Sequence, residues 1–366
     1  MPFLGFQHAA HAAHAAHAAH AAHAAHAAHA AHAAHAAQIT ASALNHPEAL
    51  QTASQAIVHL VNGNQADAPK DLPPNSATNM DRWSGDIRQR LYMAEFLNPF
   101  GSQWNDKDAA VTLNWHNTTF LVLPRPQIGV FAKQAELVVN YMEQREARGG
   151  EIMAQLDGFT DFFGLHLGLT AARNPYTIEL IETVQAIAGQ VTMAPKHMLA
   201  CRRPDELDAR INPLIPTPGH GSYPSAHATQ AFAVATVLSV FLRETGGFYE
   251  DLNSRIRLVK AQAHRIAVNR TVAGVHYPID SRAGFMIGMQ IGRIIVGMCT
   301  GQTTIKPWKF QADENEDFQF TDVENFQESD VSLPGPEVVN VSEKPVFRWL
   351  WHKATAEFPA MSVDGS

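Results

Sequence analysis

The run YPSAHATQAFAVATVLSVFL, residues 223–242, holds a turn and the start of a long helix. Ala228 to Leu242 is apolar and rich in alanine, the strongest helix former. The helix is expected to reach Thr245, where Gly246-Gly247 stops it. Ser225 is a favoured N-cap residue. The N–H groups that open a helix lack partners within it and point outward, so they bind anions. Ser225 adds a hydroxyl and Ala226 a backbone donor. His227, beside such an anion rather than deep in the helix, is suited to general acid or base work.

Two further groups flank this run. Upstream, Lys196 and Arg203 are seven residues apart, close to two helical turns, so both can project from one helix face before Pro204 ends the segment. Arginine presents a rigid fork of donors that matches phosphate-like oxygens and stays charged at ordinary pH. Downstream, Arg270 is followed by His276 and Asp280. At a spacing of four, a carboxylate can bond one ring nitrogen of His276 and aim the other. Pro278 puts His276 at a helix entry. Each piece has an ordinary reading alone: a solvated helix face, a cap, a local pair. Together they gather a lysine, two arginines, a hydroxyl and two imidazoles, an inventory for a tetrahedral or trigonal-bipyramidal oxyanion.

The pattern Lys196-x6-Arg203-Pro204, Pro224-Ser225-Ala226-His227, Arg270-x5-His276-x3-Asp280 resembles the signature of the type 2 phosphatidic acid phosphatase superfamily. That superfamily includes soluble bacterial acid phosphatases, membrane lipid phosphatases and vanadium-dependent haloperoxidases. The match covers roughly residues 196–280, with looser support to about Gly301. The resemblance implies that Lys196, Arg203, Ser225, Ala226 and Arg270 bind the oxyanion. It implies that His276 is the nucleophile of a phosphatase or the ligand to the metal, vanadium, in a haloperoxidase. Asp280 would orient it, and His227 would be the acid/base. Ala226 stands where the family usually has glycine, and its methyl narrows the approach. Asn269 stands where serine often precedes the arginine. His220 matches a second catalytic histidine of algal bromoperoxidases; it also reads as a loop histidine in a Pro/Gly-rich turn.

Composition bounds the rest. The net charge of −8 argues against a nucleic-acid binder. Cys201 and Cys299 make no disulfide framework and read as structural. Ala231 to Leu242 is too short to span a membrane, and Ala283 to Cys299 is interrupted by Arg293, so the chain reads as not membrane-spanning and on the soluble branch. Met1 to Gln7 lacks the look of a secretory signal, which favours the cytoplasm.

Four regions are expected. Residues 1–40 are a low-complexity tail, with a strict His-Ala-Ala repeat over 8–37. The repeat reads as a tail without a selected role, as a transition-metal-binding tract, or as a helical assembly element. Residues 41–130 form an N-terminal wrap: a polar stretch, an amphipathic helix over Asp86 to Leu97, and an extended lid or irregular wrap over Trp104 to Val130. Residues 131–303 form the catalytic bundle, with helices over Phe131–Arg148 (ended by Gly149-Gly150), Glu151–Ala172, Tyr176–Val191, Ala228–Thr245, Tyr249–Asn269 and Pro278–Cys299. Gly284, Gly288 and Gly292, at a step of four, let another helix approach closely; a membrane dimer motif is the alternative. Residues 304–366 are an acidic, aromatic arm that is disordered, or wraps its own domain or a neighbouring subunit. Long helices with short Gly/Pro turns imply an all-α helical bundle of the haloperoxidase/acid phosphatase type, with irregular N- and C-terminal extensions. The motifs then converge on a preformed, deep anion pocket at one bundle end.

Vanadate mimics phosphate, so one pocket can serve two chemistries. The leading expectation is a vanadate-dependent haloperoxidase that oxidises halide with hydrogen peroxide. His276 would be apical and Lys196 would polarise the peroxide. The alternative is a soluble acid phosphatase that hydrolyses phosphate monoesters through a phosphohistidine at His276 and needs no cofactor. A third is a binding or assembly protein with a decayed pocket. The partners expected are small molecules, peroxide and halide or a phosphate ester, with a homo-oligomer left open.

Overall fold

The computed structural model describes residues 71–359, apart from 246, 302, 313–316 and 336. The His-Ala-Ala tract lies outside the described residues. The architecture is predominantly helical, as the residue pattern implies. Helix α1 spans Gly85–Leu97, α2 Ile128–Tyr141, α3 Arg145–Ala154, α4 Thr160–Leu167, α5 Pro175–Val191 and α6 Met193–Leu199. A short α7 spans Pro204–Leu207, then α8 Ala226–Glu244, α9 Leu252–Val272, α10 Pro278–Thr300, a short α11 Phe320–Glu324 and α12 Pro345–Thr355.

Helices α8 and α10 form the centre, and α8 also packs against α9 and α5. The three glycines of α10 decide how closely the pair approaches. A β-carbon on Gly284 would stand 2.7 Å from the Ser225 carbonyl oxygen, one on Gly288 2.5 Å from that of Thr229, and one on Gly292 2.6 Å from Thr236 Cβ. The small-residue step is therefore internal packing. Helix α10 is long and apolar enough to cross a membrane by length and composition, contrary to the expectation that no such span exists, and 83% of the qualifying window is buried in the fold. The interruption at Arg293 is accommodated at the rim: its guanidinium lies 4.7 Å over the Trp308 ring and pairs with Glu328 at 3.2 Å.

Three expectations for the first half are corrected. The stretch read as a lid or irregular wrap is an antiparallel meander, β1 Phe100–Asn105, β2 Ala110–Trp115 and β3 Thr118–Pro124, with Phe100 opposite Trp115 and Leu113 opposite Leu121. Short β4 (Thr303–Ile305), β5 (Trp308–Lys309) and β6 (Val339–Val341) follow α10; β5 joins β3 in parallel and β4 pairs with β6. Secondly, Gly149-Gly150 does not end a helix. The break falls earlier, in a 3-10 turn over Met142–Gln144, and α3 runs through both glycines. Thirdly, the helix expected over Glu151–Ala172 is two pieces. Gln155 leaves helical geometry at φ −93°, ψ 6°, and Gly168, at φ 63°, closes α4. That break brings Gln155 to the site.

The C-terminal segment wraps its own domain, and most of its aromatics, Phe318, Phe347, Trp349, Trp351 and Phe358 among them, are buried. Phe318 packs against Phe285 of α10 and edge-on to Phe232 of α8, while Trp351 and Phe358 meet Phe241 of α8. Glu357 caps α5, its carboxylate accepting from the N–H groups of Tyr176 at 2.7 Å and Thr177 at 2.9 Å and from the Thr177 hydroxyl at 2.6 Å. A carboxylate at a helix N-terminus satisfies orphan donors and opposes the helix dipole. Glu357→Ala is expected to destabilise the protein by about 1–2 kcal/mol in chemical denaturation; an unchanged midpoint would remove this role.

Candidate active site

The upstream motif is not one helix face. Helix α6 ends at Leu199 because Ala200 takes a left-handed conformation, φ 47° and ψ 49°. Arg203 then stands at the N-cap position of α7. Lys196 and Arg203 therefore reach the site from separate elements. Arg125, at the end of the meander, donates to the Leu199 carbonyl at 2.7 Å and ties the sheet to this turn.

Lys196 is buried, and its Nζ donates to the carbonyls of Gly221 and Ser222, each at 2.9 Å. Burial, then the charge of Arg203, lowers its pKa. Arg203 donates from Nε to the His220 carbonyl at 3.0 Å, from Nη1 to the Val275 carbonyl at 2.6 Å and to His276 Nε2 at 3.1 Å, and from Nη2 to His220 Nδ1 at 3.1 Å.

Gly274, at φ 82°, turns the chain after α9 and returns it to Arg203; its own β-carbon position would lie 2.8 Å from Arg145 Nη2. His276 follows, its Nδ1 at 2.8 Å from Asp280 Oδ2. The same carboxylate oxygen accepts from the Tyr277 N–H at 3.0 Å and from the Ser222 hydroxyl. With Nδ1–H given to Asp280 and Nε2 accepting from Arg203, His276 is a neutral imidazole with its lone pair on Nε2. Burial first, then the charges of Arg203 and Lys196, hold it well below the ordinary histidine range. Burial raises the Asp280 carboxyl, and its hydrogen bonds to Ser222 and Tyr277 oppose that.

The other wall comes from α8, α9 and the end of α3. Ser225 caps α8, its Oγ accepting from the Ala228 N–H at 3.4 Å, and its own N–H donates to the Asp280 carbonyl at 3.0 Å. That bond fastens the α8 start to the α10 start. Ala226 is the first helical residue, where a β-carbon carries no backbone penalty. His227 Nε2 lies 3.1 Å from the Gln155 carbonyl, an acceptor only, so this nitrogen carries the proton and Nδ1 keeps the lone pair. Burial, with the Arg270 charge, takes its pKa down to about 3. Arg270 is buried; its Nη2 donates to Gln155 Oε1 at 3.1 Å and to the Ile152 carbonyl at 3.3 Å, while Nε and Nη1 have no partner among the described residues. Burial lowers its pKa to about 10.

All nine anticipated residues thus meet around one spot. His220 is exposed and Ala226 and His227 half-buried, which marks the side facing solvent. A separate cavity of about 500 Å³ between α10 and the C-terminal segment, bordered by Phe285, Phe310 and Phe326, includes none of them. Two partners went unnoticed in the sequence. Ser222 adjoins the turn motif, and a hydroxyl three residues before Ser225 was its only signal. Gln155 has none. Cys201 is inert here, its thiol pushed up to about 12 by burial.

The electrostatics predict an acid-sensitive fold. His227 is held at about 3 in the fold against about 6.5 unfolded, and His276 and His264 are also lowered by burial. Below about 6.5 the unfolded chain takes up protons that the fold refuses, so stability is complete above that pH and falls toward about 3. Asp280 acts in the opposite sense as a single group. The thermal midpoint is expected to drop between about pH 6.5 and 4, with a shallower drop in His227→Gln; a flat profile would refute buried neutral histidines.

A family model described as the PAP2 superfamily matches residues 179–303. Decaprenylphosphoryl-5-phosphoribose phosphatase of Mycobacterium tuberculosis, in strains CDC 1551 / Oshkosh and ATCC 25618 / H37Rv, is 30% identical over 109 residues, 30% of this chain and 54% of the relative. The chain spans about half the length of those curated relatives. The transmembrane PAP2 type phosphatidylglycerolphosphate phosphatase from Bacillus subtilis, a solved structure, aligns over 69% of this chain and 94% of its own at 14% identity and a TM-score of 0.29. Residues 179–303, the stretch that matches the PAP2 superfamily model, hold all nine convergent residues: Lys196, Ala226, His227, Arg270 and Asp280 lie within α6–α10, and Arg203, His220, Ser225 and His276 lie in the caps and turns between them.

Proposed function

We propose that this protein is a phosphatase that hydrolyses phosphate monoesters through a phosphohistidine at His276. The observation that carries the reading is Arg270: a buried guanidinium with Nε and Nη1 unpaired among the described residues calls for an anion, beside an imidazole whose lone pair is on Nε2. Arg203, Arg270, Lys196 and the N–H groups opening α8 hold the phosphoryl oxygens. The Nη1 donor of Arg203 shifts from His276 Nε2 to an oxygen as the ester binds. Nε2 attacks phosphorus and the ester P–O bond breaks. His227, its pKa raised by the bound anion, gives a proton from Nδ1 to the leaving oxygen. Water then attacks phosphorus and gives its proton to His227. The N–P bond breaks, and its electron pair returns to Nε2. Asp280 holds the Nδ1 proton throughout.

The relatives named above are phosphatases, which favours this reading over the haloperoxidase expected first. The donor set would also fit vanadate, with His276 Nε2 toward the metal and the same cations on its oxygens; bound there, it would supply peroxide activation. One experiment separates the two: a phosphate-ester panel with acid-labile phosphate trapping on His276, run beside bromide oxidation by hydrogen peroxide with orthovanadate. Hydrolysis with trapped phosphohistidine, inhibited by vanadate, is expected. Vanadate-dependent bromination without hydrolysis would overturn the proposal.

A further inference from the structure

Gln155 has no exposed surface and uses every polar atom of its side chain. Its Nε2 donates to Glu151 Oε1 at 3.1 Å, and its Oε1 accepts from Asn269 Nδ2 at 3.0 Å and Arg270 Nη2 at 3.1 Å. Donors on one side and an acceptor on the other fix the amide orientation. Its main-chain carbonyl takes the His227 Nε2 proton. One residue therefore aims the guanidinium and sets the imidazole tautomer.

Its neutrality matters as much as its position. Among the described residues the side-chain hydrogen bonds of Lys196, Arg203 and Arg270 end on carbonyls, imidazoles and the Gln155 amide, none on a carboxylate. The carboxylates nearby are committed. Glu151 pairs with Arg265 at 2.6 Å and accepts from Asn269 at 2.9 Å, and Arg148 joins the same cluster through Asn269 at 3.1 Å. Asp280 serves His276, Ser222 and Tyr277. Glu206 accepts from the Arg203 backbone N–H at 2.7 Å. The guanidinium groups of Arg203 and Arg270 thus have no carboxylate hydrogen-bonded to them among the described residues, and a buried cation without a direct counter-charge favours the more highly charged anion.

We infer that Gln155 is a positioning residue that sets the charge preference of the site: its neutral amide clamps Arg270 where a carboxylate would cancel it, which selects a doubly charged phosphate group over a singly charged one. The inference rests on the phosphatase reading for its purpose, but its test reads binding. Inorganic phosphate and dimethyl phosphate are titrated calorimetrically into the full chain at about pH 8, where the first is chiefly a dianion and the second a monoanion. The wild type favours phosphate. Gln155→Glu loses about 10- to 100-fold in phosphate affinity and far less for the diester, so the ratio collapses. Gln155→Ala loosens Arg270 without adding charge, so both ligands weaken and the ratio survives. Thermal unfolding checks each variant.

An unchanged ratio in a folded Gln155→Glu protein overturns the inference. If that variant does not fold, unchanged affinities in Gln155→Ala overturn it. A ratio that collapses in a protein trapping no phosphohistidine leaves the inference standing and removes the phosphatase reading. Ester hydrolysis with an unmoved ratio does the reverse.

Discussion

His276→Ala is expected to reduce phosphate-ester hydrolysis by at least about 10⁴-fold and to abolish covalent phosphate trapping. In the proposed mechanism the side chain supplies the attacking atom, and the alanine variant offers no substitute for it. Asp280→Asn should fall less, by about 10²–10⁴-fold, because the nucleophile remains while its tautomer is lost. The Asp280 oxygen that holds Nδ1–H also takes the Tyr277 N–H at 3.0 Å, so an amide there presents a donor where acceptors are needed. Steady-state rates of the folded variants check both. Alanine-variant hydrolysis within tenfold of wild type would displace His276 from the role of nucleophile.

The second large effect concerns the fold. Gly288→Ala is expected to destabilise the protein by about 3 kcal/mol or more, lowering the thermal midpoint by roughly 6–10 °C. The added carbon would stand 2.5 Å from the Thr229 carbonyl oxygen and 2.9 Å from the Ala233 nitrogen. Both atoms are backbone, so no side chain can swing aside and α8 and α10 must separate. The turn that carries Ser225 would feel it, since Ser225 is tied to Asp280 across the same interface at 3.0 Å. Gly101→Ala, with nothing within 4 Å, is the control. Equal midpoints for the two variants would mean that the close approach of the helices is unimportant.

The long helices were legible in the residues. Asp86–Leu97, Tyr176–Val191, Ala228–Thr245, Tyr249–Asn269 and Pro278–Cys299 differ from the observed spans by at most a turn at either end. Apolar periodicity and capping act within a few residues, so a single chain displays them. The meander was not legible. Residues 104–130 carry strand-favouring side chains, but a strand is completed by its partner, and Pro124 and Pro126 mask the pattern. The break at 142–144 was misplaced to Gly149-Gly150 for a similar reason. Glycine weakens a helix only locally, and here tertiary contacts hold α3 through both.

At the site, the division follows distance along the chain. Donor types, the His276–Asp280 spacing and the cap at Ser225 are local, and they announced an anion site before any fold was known. Arg203 leaving the Lys196 helix was settled by the turn at Ala200 and the bonds waiting at His220 and Val275. Gln155 joins Arg270 across 115 residues, and nothing near it in sequence marks it. The chemistry a side chain can perform is written in its type. Which charge stays unpaired, which nitrogen keeps its lone pair and which amide aims a guanidinium depend on groups that meet only when distant segments pack, because burial and hydrogen-bond partners are properties of the assembled interior.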